Sequence, residues 1–553
     1  EYFFNGLNRF LDGEDPDQVL FGHEQLTDGQ SSIRFGDDAE TLGPTFNALQ
    51  MAFYAQDEWQ VTEDFKLTLG LRADIPVFLE DPPVVNDEFN RATVPAVEQF
   101  YDLKGARAAL TPATQVLWSP RVGFNWDVNG EKKTQIRGGA GIFTSRVPWV
   151  WPGGQFIRNG KNSAFTVVAG VNQAPIYPTE QEWADNLFTS TTPTGDVDLF
   201  VEDFKYPQIF RASAAVDQKL PWGLQGTAEI TFTKTINNID VQNVNLRPSV
   251  QNQAGADNRP LFDYDNPIDP TYNDIILVDN TNDGYTFNFT AQLTKAFDNG
   301  FTGSIAYSYT DAEALFDGAG FINGTNWENV LSVQGNNNPS VARSIYSAGS
   351  RITSFMSYRA EYGNNFATTF SLFYTGRDGT PYTYVYDDPI SDLSNNLDIN
   401  DMIYVPASQS EINLVDIDGG PTAAQQWAAL DEFISNDDYL SGRRGDYVEP
   451  NKIRTPFEHV LDLKIIQDFY VMQGGTKHNL QLTLDIFNFT NMLNKDWGRR
   501  YFVGGNRFPL IESTLNDGVA EFTFTDPGDT FSIVQSGTYS SRWNAQIGVR
   551  YSF

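Results

Sequence analysis

Apolar and polar residues alternate strictly through much of the chain. Phe65, Leu67, Leu69 and Leu71 are interleaved with Lys66, Thr68, Gly70 and Arg72, and Phe210, Ala212, Ala214 and Val216 with Arg211, Ser213, Ala215 and Asp217. Tyr285, Phe287, Phe289, Ala291 and Leu293 alternate in the same way with Thr286, Asn288, Thr290, Gln292 and Thr294. Successive side chains on a strand point to opposite faces, so each segment has one apolar and one polar face. The pattern predicts strands near 50–60, 65–75, 119–128, 134–145, 209–220, 224–237, 285–297, 301–311, 352–362, 366–376, 459–471, 478–490 and 542–553. A two-sheet sandwich would alternate in the same way.

The connections separate those two readings. Short turns stand at Val61-Thr62-Glu63-Asp64, Asn129-Gly130, Pro221-Trp222-Gly223, Asp298-Asn299-Gly300, Gly363-Asn364-Asn365 and Gln473-Gly474-Gly475. Several carry the Asn-Gly or Gly-rich chemistry that a tight hairpin needs for positive φ angles. They alternate with long loops over 78–118, 146–208, 238–284, 312–351, 379–458 and 492–541. Structureless loops of that length do not suit a compact soluble domain. Short turns at one end and long loops at the other are the pattern of outer-membrane barrels, whose turns lie in the periplasm. Trp59, Phe65, Phe297, Phe301, Phe366 and Phe469 flank the short turns, where such barrels carry an aromatic girdle. The expected fold is all-β: an antiparallel transmembrane β-barrel with short periplasmic turns and long extracellular loops.

In the last strand Trp543, Ala545, Ile547, Val549, Tyr551 and Phe553 face one way, and Asn544, Gln546, Gly548, Arg550 and Ser552 the other. A chain ending in Gln546-x-Gly548-x-x-Tyr551-x-Phe553 resembles the terminal signal read by barrel-assembly machinery in outer-membrane clients. The last strand must run towards the periplasm. Counting back through the hairpins leaves the strand near 50–60 running the same way, so a rising strand is expected within residues 1–45. That gives about fourteen visible strands, an even number as in bacterial single-chain barrels.

Composition narrows the chemistry. The 553 residues hold 37 Lys and Arg against 71 Asp and Glu, a net charge of -34. That balance argues against nucleic acid, which is met by clustered Lys and Arg. Mean hydropathy is -0.38, and no run is long and apolar enough for a transmembrane helix. Cysteine is absent, which removes disulfides, thiol catalysis and cysteine-ligated metal. The three histidines, His23, His459 and His478, lie far apart and lack metal-ligand spacing. With no partnered histidine and no Gly-x-Ser-x-Gly elbow, no enzymatic activity is expected. Aromatics at 14% leave too much apolar surface for a disordered chain. Residue Glu1 is preceded by no signal peptide in this sequence, which is expected to be a processed or partial copy.

Several segments resemble TonB-dependent outer-membrane receptors, most closely the Oar-like group common in Bacteroidetes and related bacteria. They are Phe53-Tyr54-Ala55-Gln56-Asp57-Glu58-Trp59, Leu67-Thr68-Leu69-Gly70-Leu71-Arg72, Ser119-Pro120-Arg121-Val122-Gly123-Phe124 and Arg137-Gly138-Gly139-Ala140-Gly141-Ile142-Phe143. Further on come Asn400-Asp401-Met402-Ile403-Tyr404-Val405-Pro406 and Asp485-Ile486-Phe487-Asn488-Phe489-Thr490-Asn491, the latter continuing to Leu493-Asn494-Lys495-Asp496-Trp497-Gly498. The resemblance runs from about residue 50 to the end. It implies part of a barrel of about 22 strands in the bacterial outer membrane, filled by an N-terminal plug with a TonB box. Neither the plug nor the regulatory-like N-terminal domain of the family is in residues 1–553, so the whole sequence is expected to be barrel portion and loops. The function implied is a receptor that binds a ligand at its outer loops and imports it through the plugged barrel with energy from TonB. The expected partners are outer-membrane lipid, TonB, barrel-assembly machinery and extracellular or surface-lipoprotein partners. A passive fourteen-stranded channel and a surface adhesion protein anchored by its barrel are the alternatives.

Candidate lumen-facing residues are Lys66, Arg72, Asp74, Arg121, Arg137, Arg211, Asp217, Lys219, Glu229, Arg359, Glu361, Asp485 and Arg550. Their mixed signs fit a hydrated wall whose charges pair across neighbouring strands, and no single-sign ladder marks a substrate track. Acidic clusters such as Asp12, Glu14, Asp15 and Asp17, or Asp196, Asp198, Glu202 and Asp203, are expected to keep the outer loops soluble and to bind Ca2+ weakly. Asp279, Thr281, Asp283 and Gly284 echo a calcium loop, but Thr290 stands at its twelfth position, so a turn is expected. Asp392, Asn395, Asn396, Asp398 and Asn400 keep the oxygens of a family calcium-loop-like run without its glycines. Trp149, Trp151, Trp183 and Trp427 are candidates to stack on a ligand, with packing between loops as the simpler role.

Overall fold

In a computed structural model of the chain, residues 46–553 are described apart from 83–84, 161–163, 169–194, 319, 388–392, 395–400, 517–518, 529 and 535–540; the backbone alone is described for 2–3, 18–25, 31–32 and 164–168. Thirteen strands form one continuous antiparallel ladder, each hydrogen-bonded to its sequence neighbour. They are β1 (Ala48–Thr62), β2 (Phe65–Phe78), β3 (Leu117–Asp127), β4 (Thr134–Thr144), β5 (Gln208–Lys219), β6 (Gln225–Asn243), β7 (Gly284–Ala296), β8 (Phe301–Ala314), β9 (Gly349–Tyr362), β10 (Phe366–Arg377), β11 (Glu458–Gln473), β12 (Thr476–Phe487) and β13 (Asn544–Ser552). Among the described residues β1 and β13 are the two edges and do not pair with each other. The rising strand expected within residues 1–45 falls largely outside the described residues; the backbone of Gln18–Gln25 pairs with Ala164–Val168.

Register follows the alternation. Ile230 on β6 stands opposite Ala214 on β5 and Phe289 on β7, and the next residue, Thr231, opposite Ser213 and Asn288. Leu372 faces Met356 and Leu463, and Leu482 faces Val549 and Gln467. One face is therefore nearly all apolar, and it is not covered by protein: Leu69, Ile230, Ile305, Phe370, Leu482 and Ile547 are all exposed. A monomer in water does not leave so wide an apolar surface bare, whereas a lipid-facing wall requires it.

Tight turns join the strand pairs at one end. Gly474 and Gly475 form the two-residue turn between β11 and β12, both with positive φ (60° and 87°). That is the backbone a hairpin with right-twisted strands demands, and glycine adopts it without a Cβ clash. Aromatics ring this end. Phe297 packs edge-on against Phe301 at 5.3 Å, and Phe366 against Phe469 at 5.8 Å. Trp59 and Trp222 project beside their turns and are exposed.

At the other end the loops are not structureless, which corrects the expectation from sequence. They fold into two lobes, each with its own apolar core. In the first, Phe89, Leu103, Leu199, Phe200, Trp327 and the run Ile275–Val278 are buried together. Its framework grows from the ladder itself: β6 outlasts its pairing with β7, and Asn238–Asn243 pairs instead with the strand Ile275–Thr281, which runs parallel to Val197–Phe200. Asn337 ties this lobe together. It accepts from the Trp327 indole at 2.8 Å and donates to the Asn243 carbonyl at 2.7 Å.

The second lobe buries Tyr384, Val405, Leu430, Ile434, Ile511 and Phe524. Its helix Ala423–Asn436 starts at a capping box in which Thr422 and Gln425 satisfy each other's backbone N–H groups, and Leu430 and Ile434 lie on its inner side. Inside the lobe sits Arg259, which donates twice to Asp257 (2.9 Å each), lies 2.7 Å from Asp401, and is flanked by Tyr386 and Tyr447. Residues 401–406 of the Asn-Asp-Met-Ile-Tyr-Val-Pro motif are thus a packing element: Met402 gives its carbonyl to Arg259, while Ile403 and Val405 are buried.

The apolar face should tolerate no charge. Ile230→Arg is expected to lower stability in lipid vesicles by about 2–4 kcal/mol, whereas Thr231→Arg on the polar face should cost far less. Urea unfolding followed by tryptophan fluorescence measures both.

Candidate functional site

The opposite face of the ladder is polar, and the structure places all of the sequence-predicted charged residues on it. Opposite signs meet across strands there. Arg137 on β4 reaches Asp217 on β5 (3.1 Å) and Glu229 on β6 (2.9 Å), an ion triad over three strands. Arg72 binds Asp74 through both Nε and a terminal nitrogen, at 2.9 and 2.7 Å. Arg359 joins Asp468 (2.8 Å) and Glu361 (3.3 Å); Lys464 joins Asp485 (2.9 Å); Lys66 joins Glu58 (3.2 Å). Such partly exposed pairs are each worth about 0–1 kcal/mol, so they shape the field of the wall more than they hold it together.

Arg121 and Arg211 behave differently. Arg211 donates to the Thr233 hydroxyl at 3.2 Å. Arg121 lies flat across β4, with its guanidinium 4.4 Å from the Phe143 ring centre. Gly141 makes room for it: a Cβ there would sit 2.9 Å from Arg121 Cγ, and one on Gly139 would sit 2.7 Å from the Val122 carbonyl. The Arg137–Phe143 motif therefore needs glycine on its polar side. Lys219 ends β5 opposite Gln225, and Arg550 stands on the edge strand opposite Gln481. Next to it on β13, Gly548 faces Thr483, and Gln546 faces Asp485. Tyr551 and Phe553 are exposed on the apolar side, with Tyr551 bonded to His478 at 2.6 Å.

A cavity of about 420 Å³ opens on the polar face at the lobe end of β9 to β13. Among the described residues four arginines line it, Arg351, Arg377, Arg500 and Arg542, together with the acids Glu458 and Asp462. Two of the arginines stand directly opposite each other, Arg351 on β9 and Arg377 on β10. Sequence reading missed this grouping, because Arg500 and Arg542 arrive from the last long connection. A signal was nonetheless present, since Arg351 and Arg377 are equally distant from Asn364 in the short turn between their strands.

Of the four candidate tryptophans, the three described do not share a site. Trp151 is buried in the first lobe against Phe316, and Trp427 packs at the margin of the second core. Trp149 contacts Phe46 and Phe78 edge-on, at 6.0 and 6.2 Å. Trp183 lies outside the described residues, as do Asp12, Glu14, Asp15, Asp17, Asp392, Asn395, Asn396, Asp398 and Asn400. Asp279 pairs with Lys104; against the expected turn, Asp279 and Thr281 lie in the strand Ile275–Thr281, and Asn282 and Asp283 alone connect it to β7, which Gly284 begins.

The loop acids are not all a solvated surface, a second correction. Glu202 and Asp203 are exposed, but Asp198 is buried in the first lobe. It lies 3.8 Å from Arg158 and accepts from Asn323 at 2.9 Å, with Asp196 and Asp274 nearby. Burial dominates, pushing the Asp198 carboxyl up to about 7, and Asp274 up to about 6 with the added repulsion of Asp196. Strand pairing forced this placement: the parallel register that seats Leu199 and Phe200 in the core sets Asp198 beside Ile276.

A family model described as outer membrane beta barrel domain matches residues 19–516. The chain belongs to that family. This outer membrane β-barrel protein accordingly resides in the bacterial outer membrane, with its apolar face to lipid. Its fold is also similar to the outer membrane transporter YddB from Escherichia coli (11% identity, TM-score 0.38, covering 91% of this chain and 54% of that one). A mutant of the ferric enterobactin receptor from Pseudomonas aeruginosa shows 10% identity and a TM-score of 0.37, over 80% of this chain and 40% of that one. The copper transporter OprC gives 8% and 0.37, over 96% and 52%. The chain thus spans about half, or less, of the length of these structures. No curated protein matches it in sequence.

Because the folded first lobe holds the Asp198 proton more tightly than the unfolded chain does, its stability is complete below about pH 4 and declines as pH rises to about 7. One such group changes the opening equilibrium by up to about tenfold per pH unit. Hydrogen exchange in Ile275–Val278, corrected for its intrinsic pH dependence, should therefore quicken between pH 5 and pH 7, and Asp198→Asn should flatten that profile.

Proposed function

We propose that this outer membrane β-barrel protein forms wall and outer mouth of a TonB-dependent receptor. Its lobes and polar face take up a ligand from outside, and a plug moved by TonB lets that ligand pass. One observation carries this reading: an apolar face open to lipid backs a charged, ion-paired face, and both folded lobes stand over the same end of it. A simple anchor needs no charged inner face, and a simple pore needs no lobes with hydrophobic cores of their own. The motifs shared with the Oar-like group point the same way. In this reading the open edges at β1 and β13 continue into further strands of a barrel of about 22, with the plug contributed by a segment ahead of Glu1.

The native polypeptide is therefore expected to be far heavier than 61.9 kDa by intact mass spectrometry. Its N-terminal segment should retain TonB when solubilised membranes are fractionated on the full-length protein. A native chain that starts at Glu1, or steady ionic conductance from residues 1–553 alone in a planar bilayer, would overturn the proposal in favour of a passive barrel.

A further inference from the structure

We propose that the polar face holds a slot, between Phe373 and Phe487, for an aromatic ring of the ligand that carries an O–H or N–H donor. The inference rests on reading the polar face as the ligand path, and it names a chemical group which that path selects. Phe355 on β9, Phe373 on β10 and Phe487 on β12 lie in one row across this face, with Asp462 of β11 between the last two. Together with the Lys464–Asp485 ion pair they line a hollow of about 260 Å³. Phe373, Asp462 and Phe487 also border the larger cavity at the lobe end, so the two spaces are continuous.

Phenylalanine is out of place on a wall that faces water. Phe373 is 41% exposed and Phe487 47%, so neither ring serves to fill a core. Phe143 and Tyr470 share this face, but cations cover their rings: Arg121 over the first, Arg359 and Lys477 over the second. Among the described residues no cation or ring covers Phe373 or Phe487 in that way. The geometry suits a single ring. Adjacent strands lie about 4.8 Å apart, so Phe373 and Phe487, with β11 between them, stand about 10 Å apart. That gap admits one flat ring with a van der Waals contact on either side. The apolar band is one residue row high. Thr353 and Thr375 stand on its lobe side, and Ser357 and Ser371, bonded to each other at 2.8 Å, on its turn side. A whole domain seated on this wall would meet mostly hydroxyls and ion pairs, whereas a ring meets only the band. The floor of the slot supplies the polar contact. Asp462 spends one carboxylate oxygen on the Asn488 amide at 2.7 Å, which among the described residues leaves its second oxygen to accept from a phenol O–H or an indole N–H.

The test is equilibrium dialysis of the purified full-length protein against four neutral, water-soluble probes, the N-acetyl amides of tyrosine, tryptophan, phenylalanine and leucine. The tyrosine and tryptophan probes are expected to bind best, the phenylalanine probe less well for want of a donor, and the leucine probe least. Raising the sodium chloride concentration should leave that ranking unchanged, because no probe is charged. Phe373→Leu and Phe487→Leu, which keep apolar bulk but remove a ring, should each lower the affinity for the tyrosine probe about three- to tenfold. Phe487→Trp should keep it. Asp462→Asn retains an oxygen for the Asn488 amide, and should weaken the tyrosine probe while sparing the phenylalanine probe. Tyr54→Leu, which removes an exposed aromatic from the same face on β1, should change nothing. Thermal melting reports whether each variant is folded, and the ranking of the four probes on the parent stands without any variant. Four results would overturn the proposal: no binding of the aromatic probes to the parent, as when another segment of the protein fills the slot; leucine binding as tight as tyrosine; full binding by both leucine variants; or an equal loss in Tyr54→Leu. None of these readings involves TonB or a proton gradient, so a negative result leaves energy-coupled import standing, and failure of import leaves the slot standing.

Discussion

Backbone hydrogen bonding in a medium without water is the constraint from which the rest of the structure follows. In hydrocarbon an unpaired N–H or C=O costs several kcal/mol, so a strand can lie there only with partners on both sides. The thirteen-strand ladder meets that demand for every strand but its two edges. Once pairing dictates the backbone, side chains can vary only by face. Lipid takes one face and leaves the other for water and charge, which is why every segment of the wall alternates.

That constraint also explains what could be read directly from residues. Each wall strand carries its own period-two signal, and each hairpin its own turn chemistry, as at Gly474 and Gly475. All of this is local, and the thirteen predicted strands match the ladder with shifts of a few residues at their ends. The largest shift is in β6, which runs on to Asn243, because the residues after Lys234 alternate less and pair with Ile275–Thr281 instead of β7.

The lobes were not legible for the opposite reason. Phe89, Leu199, Ile276 and Trp327 meet in one core from four separate stretches of sequence, and no local period announces such a meeting. The burial of Asp198 follows from a parallel pairing with Ile276 that only the three-dimensional chain reveals. The arginine cavity lies between these cases. Half of it, Arg351 opposite Arg377, is implied by the hairpin turn; the other half, Arg500 and Arg542, depends on how Asn488 pins a loop.

The continuation of β6 from the wall into the first lobe has a mechanical consequence. A loop can swing about a few soft dihedral angles, but a strand hydrogen-bonded along its length behaves as a stiff spar. Lower down β6 is clamped between β5 and β7, and higher up it is laced to Ile275–Thr281. A push on this lobe therefore passes into the membrane wall as shear along one strand, and tilting the lobe alone would mean unzipping Asn238–Asn243 from its partner, pair by pair.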